Sequence, residues 1–209
     1  MEFNGALGGI YRVSEWVTRL AYVNILWLLF TLAGALIFGF MPASISMFAV
    51  IRKWCQGDFD FPVFNTFWNT YKSEFWRSNK LGVLLFLAPI SFYLNYQIFQ
   101  LESVLYSFSY LLFPAALFYL FIMFYIFPLY VHFQMPLIHY IKNSLLMAVS
   151  SPVSTFLLIV SCSANYYILS AFPGLGIIFL GSTTAYILTF VIHRRLHRIE
   201  FSQGQSIAG

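Results

Sequence analysis

Chemistry needs acids, bases, nucleophiles or metal ligands at workable spacing, and the 209 residues of this chain offer few. His193 and His197 are four apart, so one helix face would carry both, a spacing that suits a metal. Arg194, Arg195 and Arg198 surround them, however. Cation repulsion and the missing third ligand favour a basic segment leaving the membrane. His132 and His139 flank Pro136 without any carboxylate, so the H-E-x-x-H pattern of metalloproteases is absent, and they read as loop or interface histidines. Cys55 sits in a short polar connection and Cys162 in an apolar run. Neither has a C-x-x-C neighbour, and no disulfide is expected between them. There is no P-loop, no G-x-S-x-G, no pair of carboxylates and no voltage-sensor arginine series. The residues therefore predict no catalytic, cofactor or metal set, and a protein that is not an enzyme. The middles of the apolar runs also lack the ionisable groups of a pump or ion-coupled carrier.

The elements that would position any site are membrane helices. The chain is 60% hydrophobic, 21% aromatic and 9% charged, with mean hydropathy +0.78. Soluble domains carry about a quarter charged residues, so these few charges could not cover a water-facing surface. The formal net charge of +4 comes from too few groups to suggest nucleic acid. Its basic residues lie beside apolar runs, where they set topology and meet anionic headgroups. Glu2, Arg12, Glu15 and Arg19 near the N-terminus do not form a cleavable signal, and the first span is expected to direct insertion.

A helix needs roughly 20 apolar residues to cross the hydrocarbon core. Val23–Phe40, Leu81–Phe99, Tyr106–Tyr130, Leu145–Ile168 and Gly174–Ile192 satisfy this. Pro42–Trp54 is apolar but short, and stops at Arg52 and Lys53. Five passes would leave Arg12 and Arg19 outside. Counting Pro42–Trp54 as a sixth places every Lys and Arg, and both termini, on the cytoplasmic side. The expected architecture is thus an all-α, polytopic integral membrane helical bundle forming one domain over 1–209. It has about six transmembrane passes, or five if Pro42–Trp54 is interfacial, and a cytoplasmic tail over 194–209.

Two amphipathic stretches flank this core. Within 1–20, Arg12, Glu15 and Arg19 share one face while Leu7, Ile10, Val13, Val17 and Leu20 share another. An interfacial helix and a simple extension of the first span both fit. Within 58–78, Phe61, Phe64, Trp68, Tyr71 and Phe75 recur at intervals of three and four, forming one aromatic stripe. Asp58 and Asp60 near its start and Arg77 near its end complement a helix dipole. The stretch is expected to be a cytoplasmic amphipathic helix lying along the bilayer. The stripe is either a docking surface for a partner or an interfacial connector with its rings at headgroup depth or against the bundle.

Several ordered segments resemble the YesL-like family of bacterial integral membrane proteins. They are Asn24-Ile25-Leu26-Trp27, Gly39-Phe40-Met41-Pro42-Ala43, Arg52-Lys53-Trp54 with Gly57, and Phe67-Trp68-Asn69-Thr70-Tyr71-Lys72-Ser73-Glu74-Phe75. The second is similar to the family's Gly-Pro-Ala turn, with two residues inserted between Gly39 and Pro42. These segments span about the first eighty residues. The resemblance implies an accessory role beside carbohydrate-uptake systems, notably ABC importers of oligosaccharides, in the bacterial cytoplasmic membrane. Expected partners are the lipid bilayer and importer membrane subunits. It implies no cofactor and no catalytic residue. The Glu-Ala-Ala…Gly loop by which sugar permeases engage their ATPase is absent, which disfavours a permease subunit.

Overall fold

Lipid offers no hydrogen bonds to an open backbone, so apolar runs of this length fold as helices. The computed structural model describes residues 6–101 and 110–207. Seven helices occupy them: α1 Ala6–Ala33, α2 Ile37–Cys55, α3 Val63–Leu101, α4 Leu112–His132, α5 Leu137–Ser150, α6 Pro152–Ser170 and α7 Pro173–Ile207. Five contain stretches long and apolar enough to cross a membrane: Tyr11–Ala33, Val63–Phe99, Leu112–His132, Pro152–Ser170 and Pro173–Leu196. Large apolar side chains such as Phe86, Leu87, Phe156 and Val160 remain on the outer surface, where lipid is their solvent. The chain is a polytopic helical membrane bundle.

At its centre is α2, the segment whose shortness made it doubtful as a span. It packs against α1, α3, α4 and α7, and buries Met41, Ala43, Ile45, Phe48, Val50, Ile51 and Trp54. Small residues permit this enclosure. A Cβ on Gly34 would lie 2.3 Å from the Gly39 Cα, so α1 and α2 nearly touch where the chain reverses. Ala35 and Leu36 make that reversal at φ 54° and 63°. The Gly39-to-Ala43 segment, read above as a turn, is instead the start of α2, and the reversal precedes it.

Pro42 and Pro89 lie inside helices. Each lacks an N–H, which leaves the carbonyl four residues earlier without its helical donor. A side chain from a neighbouring helix supplies each one. Asn79 Nδ2 of α3 donates to Phe38 O at 3.0 Å, and the Tyr119 hydroxyl of α4 donates to Leu85 O at 3.3 Å. Pro152 leaves Ala148 in the same position. Thr155 Oγ1 donates to Ala148 O at 2.9 Å, and the Tyr125 hydroxyl, 2.8 Å away, completes the chain by donating to Thr155. Asn24, fully buried on α1, meets α7 in a similar way. Its Nδ2 donates to Ile177 O at 2.9 Å and its Oδ1 accepts the Ser182 N–H at 2.9 Å.

Two expectations need correction. The span expected at Leu145–Ile168 is interrupted: Ser151 is non-helical and Pro152 opens α6, because a proline disfavours helix in the residue before it. The separate amphipathic helix expected over 58–78 is the first part of the 39-residue α3. No strong breaker interrupts the chain near Asn79, and the helix is about 58 Å long, roughly twice the hydrocarbon thickness. Residues 194–207, within the expected tail, continue α7 as helix. Residues 6–20 are the first part of α1, which runs unbroken from Ala6 to Ala33. The start of the expected Tyr106–Tyr130 span lies outside the described residues.

If Pro42 makes Asn79 necessary, the two residues must be coupled. Asn79→Ala should lower stability by about 1 kcal/mol. In a Pro42→Ala background, which restores the N–H, the same change should cost much less. Unfolding titrations of the four proteins in detergent check this double-mutant cycle.

Candidate functional site

The C-terminal turns of α2 and α4 meet the polar first part of α3, and a recess of about 280 Å³ opens between them. Ile45, Ala49 and Arg52 line it from α2, and Thr70, Glu74 and Arg77 from α3. Tyr130, Val131 and His132 end α4 there, and Phe133 and Gln134 lead out of it. Residues 133–136 between α4 and α5 are non-helical, with extended backbone at Phe133 and Pro136.

Most of the polar groups here already hold something. Tyr130 donates its hydroxyl proton to Glu74 Oε2 at 2.6 Å, and Arg77 Nη1 lies 3.8 Å from the same oxygen. Arg77 Nη2 donates to Met135 O at 2.7 Å and to the Tyr140 hydroxyl at 3.3 Å. Tyr140 in turn donates to Phe133 O at 2.6 Å and accepts the Met135 N–H at 3.0 Å. The Tyr130 and Tyr140 rings stack with centroids 4.8 Å apart, and the Arg77 guanidinium lies 5.2 Å from the Tyr130 centroid, in cation–π range. Arg52 Nη1 donates to Val131 O at the end of α4. His132 Nδ1 lies 2.9 Å from Pro128 O, and since a carbonyl only accepts, Nδ1 carries the proton.

Glu74, the only carboxylate lining the recess, accepts a strong charge-assisted bond and sits beside a guanidinium.

Sequence reasoning paired His132 with His139 and His193 with His197. The structure instead brings His132 to His193, with ring centroids 5.8 Å apart, and leaves His139 exposed. No group of three or more His, Cys, Asp or Glu among the described residues could hold a metal. The aromatic stripe turns inward as a packing seam. Phe30 of α1 lies within 5.0 to 6.3 Å of Phe64, Phe67, Trp68 and Tyr71, and Tyr71 donates to Phe30 O at 3.2 Å. Tyr71 is buried, and Trp68, Phe75 and Phe61 are half-buried. Of the five stripe residues expected as a docking surface, only Phe64 is exposed. Phe30 was missed because its contact with the stripe crosses two helices, and periodicity reports one helix at a time. A second, apolar cleft of about 470 Å³ lies between α1, α2, α4 and α7, with Trp27, Phe40, Met123 and Leu188 in its walls.

A multi-pass α-helical membrane protein with a charged recess at one end is the class these features define. The chain belongs to the YesL-like family, whose model, described as a protein of unknown function, DUF624, matches residues 20–96. That stretch carries the α2 and α3 walls of the recess and the Pro42–Asn79 pairing. Three Bacillus subtilis (strain 168) proteins, each described as uncharacterized, are similar to it. YteU is 37% identical, over 98% of this chain and 93% of its own. YesV is 39% identical, over 79% and 81%. YesL is 33% identical, over 90% of each. No solved structure matches the chain.

The Tyr130–Glu74 bond joins α4 to α3 through a charged acceptor. Tyr130→Phe should cost about 1.5–3 kcal/mol, and far less where Glu74→Gln has already removed the charge. Thermal unfolding of the purified variants measures both.

Proposed function

We propose that this chain is a non-enzymatic accessory protein of a carbohydrate ABC import system in the bacterial cytoplasmic membrane, acting through contact with importer membrane subunits. The observation carrying this reading is the family relationship. It extends over nearly the whole chain in YteU and YesL, and the resemblance implies association with oligosaccharide uptake. The recess supports the non-enzymatic part, since its Glu74, Tyr130 and Arg77 side chains are committed to one another and to the Met135 carbonyl. Transport by the chain itself is the second reading, favoured by the two cavities that open in the bundle.

Six crossings, with α2 as the short one, complete the proposal. Both termini then lie in the cytoplasm, together with Arg52, Lys53, Lys72, Arg77 and Lys80. Topology reporters fused to either end should both score as cytoplasmic. An external N-terminus would overturn this arrangement.

The functional reading is tested in cells. The tagged chain should co-purify with the membrane subunits of an oligosaccharide importer, where an unrelated polytopic control does not, and deletion should slow oligosaccharide uptake. Absent co-purification with unchanged uptake would sink it. Uptake into liposomes holding only the purified chain would establish the second reading instead.

A further inference from the structure

We propose that the recess is a binding site for an oxyanion, a phosphate or carboxylate group, taken up by the free edge of Arg52. This goes beyond the accessory role and does not depend on it.

The charges in the recess do not cancel. Glu74 lies 3.8 Å from Arg77 and also holds the Tyr130 hydroxyl, so this carboxylate and this guanidinium neutralise each other. Arg52 is left over. Among the described residues the ion pairs are Arg19–Glu15 and Arg77–Glu74, and neither involves it. Lys53 and Lys72, its basic neighbours, lie over the Phe61 and Trp68 rings and likewise bring no negative charge. The recess therefore holds one uncompensated cation on a half-buried side chain, and such charges are normally paired.

The Arg52 guanidinium is also positioned for a ligand. Nη1 is committed to Val131 O, which fixes the plane of the group. Nε has no hydrogen-bond partner and no accessible surface as the side chain lies, so an oxyanion engages it only when the groups covering it give way. An Nε–H and the adjacent Nη2–H form the edge that binds two oxygens of one carboxylate or phosphate side by side. Leaving a buried donor unmade costs about 1–3 kcal/mol, and an oxyanion at this edge would remove that cost. A volume of about 280 Å³ admits a phosphate or a small carboxylate, or the head of a larger molecule. Two sources share this chemistry: an anion dissolved in the aqueous phase, and the phosphate of an anionic lipid at headgroup depth, where basic residues gather.

The test uses the full chain, purified in non-ionic detergent, with two arms. In the first, thermal unfolding is followed in inorganic phosphate or acetate against chloride at equal ionic strength. In the second, native mass spectrometry compares retention of phosphatidylglycerol with that of phosphatidylcholine. Saturable stabilisation by phosphate or acetate identifies a dissolved anion, and selective retention of phosphatidylglycerol identifies a lipid. In either case Arg52→Gln and Arg52→Lys should weaken the effect at least about tenfold, while Arg12→Gln, at an exposed position on α1, should not. Arg52→Lys keeps the charge but lacks the two-pronged edge, so it serves even where Arg52→Gln fails to fold. The proposal is overturned if neither arm shows an effect in the unmodified chain, or if Arg52→Lys preserves it in full.

Discussion

In a bilayer, a backbone carbonyl without a donor has no water to turn to, and each such group costs several kcal/mol. This chain creates these carbonyls repeatedly, by placing prolines inside helices and by ending helices in extended segments. It answers several of them with side chains from other helices. Phe38 O receives Asn79, Leu85 O receives Tyr119, Ala148 O receives Thr155, Val131 O receives Arg52 and Met135 O receives Arg77. Each side chain reaches its own carbonyl on the facing element, so each bond also sets a register between helices. Apolar packing alone specifies register weakly among helices whose surroundings are as apolar as they are.

The same constraint shapes the recess. Polar and charged residues are scarce in this sequence, and most near the ends of α2 and α4 are spent on holding helix ends in place. Arg77 pins the extended segment at Met135, Tyr140 pins it at Phe133, and Tyr130 ties α4 to α3 through Glu74. What remains is the unpaired edge of Arg52. A site on this protein would thus be a by-product of its scaffolding: the side chain that closes the end of α4 also presents the donors left over.

Much of the fold was legible in the sequence, because continuous apolar runs have few physical outcomes. The apolar stretches of α1, α3, α4 and α7 follow directly from them. Legibility failed where a run hid a break or a change of composition imitated one. The residues around Ser150 to Pro152 are apolar enough on both sides to read as one span. The polar start of α3 read as a separate helix, although no residue there stops the helix from continuing. The orphaned carbonyls were half legible. A proline at position i marks the carbonyl at i−4, which identifies Phe38 and Leu85, but the donor lies on another helix, at a separation no periodicity records. Phe30 and the His132–His193 encounter were hidden for the same reason.

The central claim concerns the hydrogen bonding of particular carbonyls, and isotope-edited infrared spectroscopy reads that state directly. In lipid-reconstituted protein carrying a single ¹³C=¹⁸O label at Phe38, the amide I band should lie at a hydrogen-bonded frequency. It should move upward in Asn79→Ala and return when Pro42→Ala is added. A band at the same frequency with and without the Asn79 side chain would contradict the account.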